Sequence, residues 1–329
     1  MTLVVVQQKG AVISAVSDTG VIEHNQKRPF NQQVPKICIL APDLAVGFAG
    51  QPDLSLSYLQ QYPAGSNYRE TVAYFVERNI ESNRQADFIV MFNSPVPKII
   101  RVTDGKASPP VRAAWIGDQS AFEAFQRYRL TKAVASVASV FEAAQLITIQ
   151  QSEKHHNNMT FEMLGALRYV IIDPAVETVF GLGVAANNID GDFQFRSHTF
   201  MLTERKFSIA LPDRFLAKAV PERDELRMYA ASCFVMGRGF DVQGLAYHFV
   251  HGKVTYMYWG KRGQPLSMAR VIAGKNIEEF MHETKDEFGI EWTGTLTLRT
   301  SPPKDYGIAA NKWKINAPTG PRVRPRGLS

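Results

Sequence analysis

The sequence predicts an α+β protein built as a four-layer αββα sandwich with a C-terminal β-rich extension. Three observations carry this. Over about the first 200 residues, short apolar strands and helix pairs follow in the order strands, two helices, strands, two helices, strands. Each of the helices carries one apolar face, so two sheets must be covered on the outside and must cover each other on the inside. After residue 205 the pattern changes to long aromatic and β-branched runs with a single amphipathic helix.

Residues 3–8 and 11–17 are Val- and Ile-rich runs separated by Lys9-Gly10, the pattern of a β-hairpin. Residues 19–35 are polar, contain Pro29 and Pro35, and read as a loop. Two short strands follow at 36–41 and 44–49 around Pro42-Asp43. Pro52-Asp53 opens a helix through about Tyr62, because proline is tolerated in a first helical turn. Residues 67–84 place Val72, Phe75, Val76 and Ile80 at helical spacing, which predicts a second helix with those four on its apolar face.

Strands are predicted at 87–93 and 97–103, with Asp104-Gly105 as the turn after the second, and again at 113–117. A long helix is predicted over 119–147, with Phe122, Phe125, Val137, Phe141 and Ala144 facing inward. Thr160 is the expected N-cap of a helix over 161–172. Strands at 179–188 and 192–201 return through Asp190-Gly191. This divides the chain into a core over 1–205, an α+β extension over 206–300 and a flexible Pro/Arg-rich tail over 301–329. In the extension, 222–236 and 243–260 are strand-like, with turns at Gly237-Arg238-Gly239 and His251-Gly252-Lys253, and a helix spans about 276–288.

Composition narrows the classes of function. Hydrophobic residues make up 45% of the chain and charged residues 21%, which is ample for a packed core. No run of eighteen apolar residues and no signal peptide is visible, so a cytoplasmic protein without a membrane partner is expected. The two cysteines, Cys38 and Cys233, lie in apolar contexts and fit buried thiols better than a disulfide. The net charge of +6 owes much to five basic residues between Lys312 and Arg326 with no acid among them. A solvated tail explains them, and nucleic acid is not expected as a partner.

The chemistry-bearing residues lie near the N-terminus. A small second residue permits removal of Met1, which would give Thr2 a free α-amine beside its own hydroxyl. A threonine hydroxyl needs an adjacent base to act as a nucleophile, and an α-amine with a reference pKa near 7.7–8.0 is such a base. Asp18 follows the second strand, and Lys36 stands at the mouth of the apolar strand that follows the loop.

In this order, Thr2, Asp18 after the second strand, Lys36 before Ile37, the run AVGFAGQPD at 45–53 and the run AWIGDQSAFEAF at 114–125 resemble a proteasome-type β-subunit. Such subunits are N-terminal-nucleophile (Ntn) hydrolases, and the chain resembles both bacterial proteasome-like subunits and the bacterial two-component ATP-dependent protease. The resemblance covers about 60% of the chain. It implies an Ntn-hydrolase sandwich and a threonine-type peptidase without cofactor or metal. Its partners would be a peptide or protein substrate and further copies of the chain in a homo-oligomeric ring, with an ATPase partner left open. It also implies roles: Thr2 as nucleophile, the α-amine or Lys36 as base, Asp18 as partner of Lys36, and the Gly50 amide as oxyanion donor. Glu177, Asp118 and Ser120 are the candidates to support the α-amine. Phe180 stands where the family has a serine, and the family usually ends near residue 200–250.

Each residue also has an ordinary alternative. Thr2 is a common second residue, Asp18 suits a turn next to Gly20, Lys36 suits an exposed strand edge, and Gly50 suits a turn before a helix. Two further functions therefore stand beside the peptidase: an inactive proteasome-like scaffold, and an Ntn amidohydrolase acting on a small amide. His155-His156 lie in a polar loop, and His248 and His251 fall on opposite faces of a strand, so no metal site is expected. Tyr247, Phe249, Tyr256, Tyr258 and Trp259 are either the packing face of a hairpin or the lining of a groove.

Overall fold

In a computed structural model, the described residues are 2–23, 26–28, 32–130, 158–173, 175–189, 191–196, 198–203, 228–238, 242–249, 254–266, 270–275 and 277–293. The expected helix beyond residue 130, the His155-His156 loop, His251 and the basic tail lie outside them.

The N-terminal hairpin forms as the apolar runs require: β1 (Leu3–Lys9) pairs antiparallel with β2 (Val12–Ser17), Val4 facing Ser17. A two-strand ribbon follows, β3 (Ile22–Glu23) with β4 (Gln26–Lys27), inside the segment read as loop. β5 (Ile37–Ala41) and β6 (Leu44–Gly50) lead into α1 (Pro52–Gln60) and α2 (Tyr68–Glu81). Asn67 opens α2 with a capping box: its side chain accepts from the Glu70 amide at 3.1 Å while Glu70 accepts from the Asn67 amide at 2.9 Å. Then come β7 (Ala86–Phe92), β8 (Lys98–Thr103), β9 (Lys106–Ala107), β10 (Ala113–Gly117), α3 (Gln119–Leu130) and α4 (Asn158–Ile172). β11 (Val184–Asn187) and β12 (Gln194–Phe195) complete the first sheet, whose order is β10-β1-β2-β11-β12. The second sheet runs β5-β6-β7-β8-β9.

Strand alternation separates the two faces of each sheet. Val4, Val6, Ile13 and Ala15 of the first sheet share one apolar cluster with Ile37, Ile39, Ile89 and Met91 of the second. The opposite face of the first sheet, Leu3, Val5 and Val16, packs on Phe125 of α3 and Met163, Leu164 and Leu167 of α4. The opposite face of the second, Val46, Phe48, Phe88 and Val90, packs on Tyr58 and Leu59 of α1 and Phe75 of α2.

The C-terminal sheet is built from β13 (His198–Thr203), β14 (Met228–Arg238), β15 (Val242–Phe249), β16 (Val254–Lys261) and β17 (Arg270–Ala273), with β18 (Glu291–Thr293) pairing β14. It is joined to the core by packing. β1 lies over β6 and β2 over β5, the edge of the second sheet, so β11 and β12 extend past that edge. There Val184, Ala186 and Phe195 share the central cluster with Leu245, Tyr247, Tyr256 and Tyr258. The other face of the C-terminal sheet, Ala246 and Met257, is covered by Phe280 of α5 (Ile277–Phe288) and by Trp292. At about 1.5–3 kcal/mol for each large apolar side chain buried, these contacts are a substantial part of the core. Tyr247, Tyr256 and Tyr258 of the aromatic run are therefore a packing face, while Trp259 meets Phe288 at a tilt on the other side of the sheet.

Four local expectations change, the first being the strand expected over 192–201, whose residues fall in β12 of the first sheet and β13 of the C-terminal sheet. Ile80 is 56% exposed, because the buried ridge of α2 runs Thr71, Phe75, Asn79 and leaves Ile80 beyond it. Asn79 takes the inward place by donating to the Ala86 carbonyl at 2.7 Å and accepting from the Gly105 amide at 2.6 Å. Thr160 lies inside α4, which starts at Asn158, and its hydroxyl bonds Ser14 at 2.6 Å in place of a cap. The strand expected over 179–188 is only Val184–Asn187, since Gly181, at φ 87°, bends the chain before it. Among the described residues, no helix is long and apolar enough to cross a membrane.

Candidate functional site

The first sheet brings the start of β1 and the end of β2 side by side, and the start of β5 lies at the same end of the second sheet. Thr2, Asp18 and Lys36 meet there, all buried at 1%, 0% and 2% exposure. The Asp18 carboxylate accepts four hydrogen bonds. Thr2 Oγ1 and the Leu3 amide (3.0 Å) donate to Oδ1; the Gly20 amide (3.1 Å) and Lys36 Nζ (3.0 Å) donate to Oδ2. Lys36 Nζ also donates to the Gly20 carbonyl. Lys36 is thus no exposed edge residue, and Asp18 does more than cap a turn.

Burial pulls the Lys36 ammonium below its ordinary pKa, and the attraction and hydrogen bond of Asp18 oppose that shift without cancelling it. A lysine held this way has a smaller barrier to giving up its proton than a surface lysine. Thr2 Oγ1 is oriented by the carboxylate that Lys36 neutralises, so the hydroxyl and the amine share one anchor.

Two glycines fit the backbone closely around this end. Gly117, φ 109°, would place a Cβ 1.9 Å from the Thr2 carbonyl oxygen, and the next amide, of Asp118, donates to that oxygen at 2.8 Å. Gly50, φ 98°, closes β6 at the same end as Lys36, and a Cβ there would lie 1.9 Å from the Gln85 carbonyl. Both positions need glycine for φ and for space.

The residues expected to support the α-amine divide. Asp118 is beside Thr2 through its backbone, but its carboxylate caps α3 by accepting from the Ala121 amide at 2.9 Å and from Ser120 Oγ. Burial pushes that carboxyl up, while the bonds from Ser120 and the Ala121 amide and the approach of Thr178 outweigh it and hold its pKa low. Ser120 is spent on the same cap. Glu177 is exposed, unlike the buried Thr2, Asp18 and Lys36. Phe180 is buried against Gly20, whose Cβ would lie 2.7 Å from its ring.

Sequence inspection missed Thr19, Gln33 and Thr178. Thr19 Oγ1 accepts from the Leu182 amide at 2.8 Å and donates to Gln33 Oε1 at 3.0 Å. Its backbone carbonyl accepts from the Val34 amide at 3.1 Å, which ties the Asp18 turn to the segment entering Lys36. The only local signal was a polar residue after Asp18, which is common to turns. Among titratable groups of the extension, His248 is buried, bonds Thr255 Oγ1 at 2.9 Å, and is pushed down to about 4 by burial.

Among solved structures, the eukaryotic HslV from Trypanosoma brucei is similar to this chain, with a TM-score of 0.37 and 15% identity, over 56% of this chain and 98% of HslV. No protein-family model matches the sequence. No curated protein matches it either.

Proposed function

We propose that this chain is a threonine-type Ntn peptidase with a four-layer αββα core, in which Thr2 is the nucleophile once the residue before it is removed. The observation that carries this is the buried, hydrogen-bonded set of Thr2 Oγ1, the Asp18 carboxylate and Lys36 Nζ. A purely structural lysine and aspartate at the end of two strands have little reason to be buried together, because desolvating both is unfavourable. An activated hydroxyl is a reason to keep them.

In the proposed reaction Thr2 Oγ attacks a peptide carbonyl while its proton passes to the freed α-amine or to Lys36. The C–N bond breaks, the proton goes to the leaving amine, and an ester on Thr2 remains. Water then attacks the ester, its proton is taken by the same base, and the acid product leaves with Thr2 Oγ restored. Asp18 orients both the hydroxyl and Lys36. The Gly50 amide is the proposed oxyanion donor, a role worth about 2.7–4 kcal/mol in hydrolases where such donors have been removed. Assembly into a homo-oligomeric ring, acting on peptides in the cytoplasm, belongs to the same proposal.

A second function is favoured by one observation: Glu177 is exposed and Asp118 and Ser120 are engaged in a helix cap, so no side chain among those candidates is free to hold an α-amine. That arrangement favours an inactive scaffold as the second function. The intact mass of the untagged protein before and after a threonine-directed β-lactone separates the two. Loss of one methionine and a single adduct mapped to Thr2 supports the peptidase. Retained methionine with no adduct supports the scaffold.

A further inference from the structure

The C-terminal sheet reaches the Thr2 end of the sandwich through two buried phenols. Tyr247 of β15 donates its hydroxyl to the Gly183 carbonyl at 2.6 Å. Tyr258 of β16 packs edge-on against Tyr247, with ring centroids 6.4 Å apart, and its hydroxyl lies toward the Thr19 side chain without forming a hydrogen bond to it. Both side chains are fully buried.

These two contacts fall on the backbone that frames the site. Gly183 follows Leu182, whose amide donates to Thr19 Oγ1, and Thr19 follows Asp18. Thr19 in turn holds Gln33 and Val34, which lead into Lys36. The path from Tyr247 through Gly183, Leu182 and Thr19 to the Asp18–Lys36 pair is therefore short and runs through buried hydrogen bonds and adjacent backbone, and Tyr258 joins it by packing on Tyr247. Neither tyrosine contacts Thr2, Asp18 or Lys36 in the hydrogen bonds described, so their influence passes through Thr19 and the 181–183 segment.

We propose that the C-terminal sheet is a built-in positioning element for the threonine site, with Tyr247 and Tyr258 as positioning residues that hold the Asp18–Gly20 turn and Leu182–Gly183 against the strand entering at Lys36. The inference rests on the proposed role of Thr2 as nucleophile. Its physical basis is that attack requires the reacting groups within a few tenths of an ångström of their productive placement, and a displacement of about 1 Å costs about a hundredfold in rate. Removing the Tyr247 hydroxyl leaves the buried Gly183 carbonyl short of a donor and frees the turn it anchors.

The test uses the full chain and its Tyr247→Phe and Tyr258→Phe variants, with Trp259→Phe as a control from the opposite face of the same sheet. The rate of β-lactone labelling of Thr2 is followed by intact mass between pH 6 and 10, beside the melting temperature of each protein. Each tyrosine variant is expected to label about tenfold more slowly and to shift the rising limb of its pH profile. Trp259→Phe is expected to keep the wild-type rate and profile whatever its melting temperature. Wild-type rates and profiles in both tyrosine variants would overturn the proposal, and if Tyr247→Phe does not fold, Tyr258→Phe decides alone. Should the wild type itself not label at Thr2, the peptidase assignment fails and positioning is judged by amide hydrogen exchange. Faster exchange at Gly20 and Leu182 in the tyrosine variants than in the control sustains it, and unchanged exchange overturns it.

Discussion

The β1–β2 hairpin ends in buried polar chemistry on both sides, but of two different kinds. At one end Asp18 and Lys36 bury two charges beside Thr2. At the other, neutral amides do the joining. Asn188 accepts from the Ile13 amide at 2.6 Å and donates to the Ala11 carbonyl at 3.1 Å and to Asn93, which in turn donates to the Gly191 carbonyl. These bonds link the hairpin turn, the end of β7 and the β11–β12 connection, so they fix register across both sheets. Neutral amides accomplish this without the desolvation penalty that a buried ion pair carries. A chain that closes one end of its sandwich with amides shows that rigidity alone does not require the charges at the other. That difference is the strongest physical reason to look for chemistry at Thr2.

The comparison breaks first at Lys36. Lys36→Met leaves Asp18 buried without its cation, and urea unfolding at pH 7 is expected to show a loss of about 3–5 kcal/mol together with loss of Thr2 labelling. Adding Asp18→Asn to that variant is expected to recover a large part of the stability and none of the labelling. The pH dependence has a definite sign. An unfolded lysine keeps its proton up to about 10.4, whereas the folded state releases it at a lower pH because of burial. Between those two values the unfolded chain holds more protons, so wild-type stability rises with pH across that window, and the Lys36→Met protein lacks this rise. A wild-type curve parallel to that of Lys36→Met would show that the two ends do not differ in kind.

His248 sharpens the comparison from a third position, a titratable group buried in its neutral form. The folded ring, pushed down to about 4, refuses a proton that the unfolded ring accepts near 6.5. Its contribution is fully present above pH 6.5 and is lost as pH falls through that value toward 4, by about 3 kcal/mol at the lower limit. Urea unfolding of wild type and His248→Met at pH 7 and pH 4.5 checks this, with the wild type expected to lose more on acidification.

The amide end is expected to respond more mildly. Asn188→Ala leaves the Ile13 amide without its side-chain acceptor and is expected to lower stability by about 1–3 kcal/mol, with no change in labelling at Thr2. A labelling defect in Asn188→Ala would mean that the two ends are coupled along the hairpin. The smallest effect is expected at Ile80, where Ile80→Gln on an exposed helix face should change the melting free energy by no more than about 0.5 kcal/mol. A larger loss would place Ile80 in a contact that its exposure does not reveal.

Much of the fold is legible in local pattern because strand alternation and helix periodicity report which side of an element faces apolar surroundings. The hairpin of β1 and β2, the strands β5 to β8, β10, the presence of α1 and the inner faces of α3 and α4 over their described residues follow from it. Where local pattern misled on α2 and α4, a polar side chain had found a distant partner that its own segment does not show. Asn79 took the inward position on α2 because the Ala86 carbonyl and the Gly105 amide needed partners there, and Ile80 was left outside. Thr160 was diverted from capping by Ser14 and Asn187, which approach it from β2 and β11. Of the candidate site, Thr2, Asp18, Lys36 and Gly50 were named from chain order and resemblance. Thr19 and Gln33 carried no local sign of the partners they find.

By itself the sequence determined the strand and helix order, the separation of an apolar core from a polar surface, and the residue types able to activate a hydroxyl at position 2. These depend on short-range periodicity and side-chain chemistry, which one segment expresses alone. Only the tertiary structure decided that Lys36 is buried against Asp18, that Glu177 is exposed, and that Tyr247 and Tyr258 reach the same end of the two facing sheets. Those outcomes depend on which strands lie across from one another over separations of tens to hundreds of residues, and packing, which is not written in any single segment, settles them.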